Sequence, residues 1–126
     1  MSPARRWTPV LAYMAGIYAL SSISHTPSLP GQSDKGLHAL LYAGLGALLM
    51  RAVAGGWSAQ MTRTAVVISV LLGGLYGASD EYHQSFVAAR QSDVRDLAAD
   101  IVGSAIGASA CLGWSRWRRG ATARSV

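Results

Sequence analysis

The sequence has few charged residues and a single cysteine, and both shortages narrow the class of protein. Only 13% of its 126 residues are charged, about half of the roughly 25% found in soluble domains. The one cysteine, Cys111, lies in an apolar run. It therefore cannot form a disulfide within the chain, and it suits no multi-cysteine metal site. The length is enough for one domain, and we expect residues 1–126 to form it.

Charge is almost absent from four segments of the chain. We predict membrane-spanning helices at about residues 7–24, 36–54, 63–80 and 96–114, because a helix needs about 20 apolar residues to cross a bilayer. A soluble four-helix bundle would show a polar stripe on each outward face. The stretch AVVISVLLGGLYGAS at residues 65–79 shows none, and its glycines would weaken a helix in water. The expected fold is all-α, a bundle of four transmembrane helices in a multi-pass membrane protein.

The basic residues divide unevenly between the two ends of such a bundle. Eight of the 11 lie at the termini or in the middle loop, whereas all six acidic residues lie at the other end. Because positive charge accumulates on the cytoplasmic side, both termini are predicted to be cytoplasmic. The basic tail RWRRGATAR directly follows a span. We interpret it as an anchor at lipid headgroups, so no nucleic acid is expected as a partner.

Polar residues gather where the second and fourth segments begin and the third ends. On a helical projection, the acids of the fourth segment share a face with Gly103 and Gly107. Asp80 likewise shares a face with Gly73 and Gly77. We expect segments three and four to pack along these glycine faces, so that the acids converge at the outer mouth of the bundle. The candidate binding pocket contains Asp34, Lys35, His38, Asp80, Glu81, His83, Gln84, Arg90, Asp96 and Asp100.

Part of this pattern also has a purely structural interpretation. Ser33 and Ser92 look like N-caps, which would place Asp34 and Asp93 in first turns where acids favour the helix dipole. Asp100 does not fit this interpretation, because it lies one to two turns inside the fourth helix. A carboxylate facing lipid is costly, and ionisable groups at membrane depth indicate a functional site.

Two ligand chemistries fit the pocket. Two helix N-termini, together with Lys35, Arg90 and Arg95, would attract a lipid phosphate or pyrophosphate. The acids and two histidines could instead bind a divalent cation, which could bridge to a phosphate. The sequence contains no H-E-x-x-H or D-D-x-x-D motif and no obvious activated serine. The motifs therefore assign no metal, no cofactor and no catalytic residue.

Two stretches of the sequence resemble the VanZ-like family of small bacterial membrane proteins. Residues 21–49 read SSISHTPSLPGQSDKGLHALLYAGLGALL and contain D-K-x-x-H followed by Y-x-x-L-G. Residues 76–107 read YGASDEYHQSFVAARQSDVRDLAADIVGSAIG and contain D-E-x-H-Q-x-F followed by D-x-x-A-D-x-x-G-x-x-x-G. The resemblance implies a multi-spanning protein of the bacterial cytoplasmic (inner) membrane, with the pocket residues as motif positions. It also implies a link to low-level resistance to teicoplanin, a lipid-tailed glycopeptide antibiotic.

Several functions are compatible with these observations. The first is an envelope protein, non-catalytic or weakly catalytic, that binds an anionic lipid headgroup or a lipid-tailed compound in the outer pocket. The second is a metal-assisted hydrolase or transferase acting on a lipid-linked phosphate, with His38 or His83 as acid–base and Arg90 as phosphate clamp. The others are a small transporter or accessory subunit with Asp100 in an ion path, and a purely structural role. Membrane lipids are the expected partners, and no oligomeric state is predicted.

Overall fold

Four helices form the described part of the chain. The computed structural model describes residues 1–22, 34–87 and 94–126, with only the backbone for Asp34 and Lys35. The helices are α1 Pro3–Ser21, α2 Asp34–Ala54, α3 Arg63–Gln84 and α4 Val94–Arg124. The predicted all-α fold with four helices is confirmed over these residues.

Two of the helices continue past their predicted ends. α3 continues beyond residue 80 to Gln84, so Glu81 and Gln84 project from a helix and not from a loop. α4 continues beyond residue 114 to Arg124. The arginines there end the apolar run but not the helix, because arginine and alanine are strong helix formers. The 31 residues of α4 measure about 46 Å, which exceeds the roughly 30 Å hydrocarbon core of a bilayer.

Two of the described helices are long and apolar enough to cross a membrane. They are Gly36–Ala54 and Val94–Arg124, in which the most apolar 18-residue stretch has a mean hydropathy of 1.6 and 1.4, respectively. The helices at the other two predicted spans, α1 and α3, do not combine sufficient length and hydropathy with few enough charges. α1 includes Arg5 and Arg6, and α3 ends in a polar turn. Four membrane crossings therefore stay a prediction.

Contacts along α1 show that it runs antiparallel to α2. Near the start of α1, Arg51 Nη2 donates a hydrogen bond to the carbonyl of Arg5 at 3.2 Å. Farther along, the hydroxyl of Tyr13 donates to the carbonyl of Leu41 at 2.8 Å. As the chain advances in α1, its contact in α2 moves backward. The end of α1 therefore lies beside the beginning of α2.

α2 and α4 run parallel, and this pair makes the most extensive helix contact. A Cβ on Gly103 would collide with the carbonyl of Ala39, and a Cβ on Gly107 would collide with the carbonyl of Ala43. Only glycine lets the two backbones approach so closely. The glycines of α4 were predicted to face α3, and this prediction is wrong, because α2 offers small residues at the matching spacing.

α3 packs antiparallel on α4 through its own glycines. A Cβ on Gly73 would lie 2.9 Å from the Cβ of Ser104, and one on Gly77 would lie 3.1 Å from the Cβ of Asp100. The predicted contact between α3 and α4 is therefore present, but it joins the glycines of α3 to polar side chains of α4. These glycine contacts all lie within the chain, as predicted.

The loop between α2 and α3 holds the C-terminal part of α4. Gly55 and Gly56 end α2 with positive φ angles of 102° and 136°, a conformation that side chains disfavour. Arg118 donates to the carbonyl of Trp57 at 2.7 Å, and its guanidinium lies 4.5 Å from the ring centroid of Trp114. The basic tail is thus attached to the body of the protein at this end.

The outer surface of the bundle is apolar on every helix. Large exposed side chains project from α1, α2, α3 and α4: Leu11, Leu40, Leu75 and Ile106. The interior, by contrast, includes Ser69, Asp100 and Ser104, whose exposure is 0%. Soluble monomers rarely expose such apolar surface. This arrangement, like the two long apolar helices, indicates a membrane protein.

Candidate functional site

Polar side chains from all four helices meet at one end of the bundle, which we call the site end. There α1 and α3 end, and α2 and α4 begin. The buried residues of the predicted pocket are His38, Asp80, Glu81, Gln84, Asp96 and Asp100. The side chains of Asp34 and Lys35 and the whole of Arg90 lie outside the described residues. The predicted convergence is observed for the residues that the structure describes, and their binding role stays a prediction.

A pair formed by His38 and Asp100 lies deepest in the site. His38 Nδ1 and Asp100 Oδ1 share a hydrogen bond of 2.8 Å, and the two side chains are 11% and 0% exposed. The parallel packing of α2 and α4 brings the two residues to the same depth. The second oxygen of Asp100, Oδ2, has no hydrogen-bond partner among the described residues. A Cβ on Gly77 would lie 3.0 Å from that oxygen, so the glycine leaves room for the carboxylate.

Two further carboxylates surround this pair. Glu81 is 6% exposed and Asp96 is 9% exposed, and the charges of both act on His38. One ligand atom each from His38, Glu81 and Asp100 lies within 4.8 Å of the others. An imidazole and two carboxylates in this arrangement are able to hold a metal ion. No motif in the sequence identified these three residues as a set.

Asp80 connects three helices through hydrogen bonds. Ser21, the last residue of α1, donates to Oδ1 of Asp80, and Tyr42 of α2 donates to Oδ2 at 3.4 Å. Gln84 Nε2 in turn donates to Ser21 Oγ at 3.4 Å. Both carboxylate oxygens are thus already bonded within the protein. The geometry gives Asp80 a role in holding α1, α2 and α3 together at the site end.

His83 lies at the rim of the site, away from the buried pair. Its Nε2 is 3.0 Å from Ser22 Oγ, and its ring stacks on Tyr18 with 4.3 Å between centroids. The sequence placed His38 and His83 in equivalent roles as acid–base candidates. The structure distinguishes them, because only His38 shares the interior with the carboxylates.

Sequence reasoning did not assign any part of the site to α1. Ser21, Ser22 and Tyr18 each contact a pocket residue through a side chain. The available signal was the pair of adjacent serines at the end of an apolar helix. The partners of these serines come from α3, which is about 60 residues away in sequence, so the contacts were not readable from local spacing.

An apolar groove reaches the site end along α1. It has a volume of about 520 Å³ and is lined by residues from Ala12 to Leu20 of α1 and by Leu41 of α2. Leu20 directly precedes Ser21, which bonds to Asp80. The groove therefore reaches the same end of the bundle as the polar cluster.

Comparison with known proteins identifies the family. No curated protein and no solved structure matches the chain. A family model, VanZ/LLP1, matches residues 6–115, a range that includes every buried site residue described above. Since the match spans most of the sequence, the chain belongs to the VanZ/LLP1 family.

Proposed function

We propose that this protein spans the bacterial cytoplasmic (inner) membrane four times and binds a lipid headgroup at the site end. The ligand would be an anionic lipid, such as a lipid-linked phosphate, or a lipid-tailed compound. The observation that carries the proposal is that the apolar groove and the polar cluster lie at the same end of the bundle, where Leu20 of the groove is followed by Ser21 of the cluster. An amphipathic ligand has the matching pattern, because its apolar chain is joined directly to a polar group.

The directions of the helices support four crossings. α2 and α4 are the two helices that are long and apolar enough to cross a membrane, and they run parallel. A chain that crosses a membrane twice in the same direction must return between the two crossings, and α3 is the helix between them. Its 22 residues measure about 33 Å, which is close to the thickness of the hydrocarbon core. α1 lies along α2, so it extends through the same depth.

The charges support cytoplasmic termini. Arg5, Arg6 and Arg51 lie together at the end opposite the site, where Arg51 contacts the carbonyls of the other two. Positive residues are retained on the cytoplasmic side of bacterial membranes. The site end would then face the cell exterior, where the headgroups of cell-wall lipids lie.

The groups at the site end favour an anionic headgroup resting above the buried cluster. α2 and α4 both begin there, and helix N-termini attract anions through their N–H groups and dipoles. Arg95 is exposed in the first turn of α4, and the sequence has Lys35 in the first turn of α2 and Arg90 between α3 and α4. The buried carboxylates would repel an anion that moved deeper. We therefore expect the phosphate at the entrance and the apolar chain in the groove.

Mass spectrometry of lipids that copurify in mild detergent tests this function. The informative variant is Gly16→Leu, because Gly16 lines the groove and a Cβ there has no neighbour within 4 Å. The new side chain should fill the groove without disturbing the fold. We expect the variant to retain about tenfold less anionic lipid than the wild type, corresponding to about 1.4 kcal/mol of binding free energy.

Gly113→Leu is the matched control, because Gly113 also has no neighbour within 4 Å but lies toward the other end of α4. It should retain lipid as the wild type does. Equal retention in all three proteins would contradict the proposal. Competition with teicoplanin separates the two sources of ligand, because a lipid-tailed glycopeptide should displace the lipid only if it occupies the same groove.

A second candidate function is metal-assisted hydrolysis or transfer at a lipid-linked phosphate. The observation that favours it is the buried pair of His38 and Asp100 beside Glu81, since a carboxylate-bound imidazole can hold or transfer a proton. Release of phosphate from a polyprenyl pyrophosphate tests it. Turnover that is lost in His38→Gln and kept in His83→Gln would favour an enzyme, and no turnover by the wild type would favour binding alone.

A further inference from the structure

We propose that His38, Glu81 and Asp100 bind one divalent transition-metal ion in the buried part of the site. Each residue contributes one ligand atom, and these atoms lie within 4.8 Å of one another. Ligand atoms about 2.1 Å from a common ion lie at most about 4.2 Å apart. Small rotations of the side chains are therefore enough to close the site around an ion.

The charge of the cluster is the first argument for a cation. Among the described residues, four carboxylates are buried at the site end, namely Asp80, Glu81, Asp96 and Asp100, and His38 is the one buried basic group among them. Carboxylates at such proximity in a poorly solvated interior repel one another strongly. Protonation would remove part of this repulsion. A divalent ion would remove more of it while the carboxylates stay ionised and the imidazole is neutral.

Unsatisfied oxygens give an independent argument. Asp100 Oδ2 and Asp96 Oδ1 are buried and have no hydrogen-bond partner among the described residues. Asp96 is not one of the three proposed ligands, and its charge acts on both His38 and Asp100. Buried polar atoms in folded proteins nearly always have a partner. A cation between these side chains would supply one, either directly or through a bound water.

The ligand types indicate which ions fit. One imidazole nitrogen with carboxylate oxygens suits Zn²⁺, Mn²⁺ or Fe²⁺. Mg²⁺ and Ca²⁺ prefer sites made of oxygen alone. The hydrogen bond between His38 and Asp100 keeps the imidazole beside the carboxylate, and an ion held by these two groups would take the place of the shared proton. We therefore expect tighter binding of Zn²⁺ than of Mg²⁺.

The ion also offers a reason why an acidic cluster would lie beneath an anionic headgroup. Three protein ligands leave coordination positions for a phosphate oxygen, so the ion could bridge between the carboxylates and the ligand. This bridging role rests on the proposed function, whereas the cation site itself does not. Metal binding and lipid binding are therefore measured separately.

Titration with Co²⁺ alone tests the cation site. The full chain is purified in detergent with a histidine-free tag and is stripped with a chelator before titration. Co²⁺ bound by nitrogen and oxygen ligands absorbs visible light, and added Zn²⁺ should displace it. We expect one Co²⁺ per chain for the wild type. Asp100→Asn and Glu81→Gln should each weaken the affinity at least tenfold.

His83→Gln is the matched control, because this histidine lies at the rim with Ser22 and Tyr18. It should bind Co²⁺ with wild-type affinity. Two variants of the cluster are used so that a failure of one to fold does not remove the test. The proposal is overturned if the wild type binds no Co²⁺, or if the folded cluster variants bind it as tightly as the wild type.

Gly16→Leu separates this proposal from the lipid proposal. It should lose lipid but keep Co²⁺ binding, because Gly16 lies in the groove and not in the cluster. If the wild type binds Co²⁺ normally but no protein retains a specific lipid, the cation site is supported and the proposed lipid-binding function is rejected. Loss of Co²⁺ binding in Gly16→Leu would overturn the assignment of the cation to these three residues.

Discussion

His38 and Asp100 are 62 residues apart in the sequence and share a hydrogen bond of 2.8 Å in the interior of the bundle. Their meeting depends on the backbone contact between α2 and α4. Gly103, one turn beyond Asp100, lies against the carbonyl of Ala39, which directly follows His38. The glycine contact therefore fixes the depth at which the imidazole and the carboxylate meet. The packing of the helices and the chemistry of the site are parts of one arrangement.

The first prediction concerns the coupling between these two residues. His38→Ala should lower the free energy of unfolding by about 3 kcal/mol, because it leaves a buried carboxylate without its imidazole. Adding Asp100→Asn to that variant should restore part of the loss, because the uncompensated charge is then removed. Reversible unfolding in mixed micelles measures all four members of the cycle.

His83→Ala is the control for this cycle, and we expect it to cost less than about 1 kcal/mol, because the side chain is only half-buried at the rim. A coupling between His38 and Asp100 of less than about 0.5 kcal/mol would mean that the two residues act independently. The buried pair would then have no energetic importance for the fold.

The second prediction concerns the close approach of α2 and α4. Gly107→Ala should destabilise the protein by about 1–3 kcal/mol, because its methyl group would collide with the carbonyl of Ala43 and backbone atoms cannot rotate away. Gly113→Ala, on the same helix with no neighbour within 4 Å, should be neutral or slightly stabilising. Thermal unfolding of the two variants in one detergent compares them, and equal stabilities would contradict the packing.

The helix that packs against the glycines of α4 could not be predicted from the sequence. The spacing of Gly103 and Gly107 indicated a close helix contact but not its partner. Gly73 and Gly77 of α3 had the same spacing, so pairing the two glycine faces was the simplest interpretation. The partner is α2, because a glycine can also pack against an exposed backbone carbonyl beside a small residue such as alanine. Such a carbonyl leaves no pattern in the sequence.

The site was predictable to the extent that charge pattern determines it. A carboxylate one to two turns inside an apolar helix requires a buried partner, and this requirement alone is enough to predict that Asp100 belongs to the site. The identity of the partner required the relative depth of two helices. The contributions of Ser21 and Ser22 were missed because hydroxyl groups at a helix end are common and usually bond locally.

The third prediction concerns Arg51 and the proline in α1. Pro9 has no N–H, so it cannot donate to the carbonyl of Arg5 four residues earlier. Arg51 Nη2 donates to that carbonyl at 3.2 Å, and Nη1 donates to the carbonyl of Arg6 at 3.2 Å. Arg51→Ala should therefore destabilise the protein by about 1 kcal/mol, which is below the roughly 1.5–3 kcal/mol of hydrogen bonds to charged groups, because the contact is partly exposed.

Pro9→Ala should reduce the effect of Arg51→Ala, because alanine restores the N–H that the carbonyl of Arg5 lacks. Thermal unfolding of the single and double variants measures the difference. If the loss caused by Arg51→Ala is the same with either residue at position 9, the guanidinium does not compensate for the proline. Its position would then follow only from the concentration of positive charge at this end of the bundle.

The fourth prediction concerns the number of membrane crossings. In a Cys111→Ala background, Ser58→Cys and Ser85→Cys place one thiol before α3 and one after it, and both positions are exposed. A membrane-impermeant maleimide added to intact cells should label position 85 and not position 58. Both should react once the membrane is permeabilised. This result follows if α3 crosses the membrane and ends on the outer side.

A two-span arrangement would give a different labelling pattern. If α2 and α4 crossed and α3 did not, the two crossings would have opposite directions, and the ends of α3 would lie on the same side of the membrane. α2 and α4 would then be antiparallel, and Gly103 and Gly107 could not lie against Ala39 and Ala43 in the observed order. Labelling of both positions, or of neither, in intact cells would therefore contradict both the four-span topology and the parallel helix contact that brings His38 to Asp100.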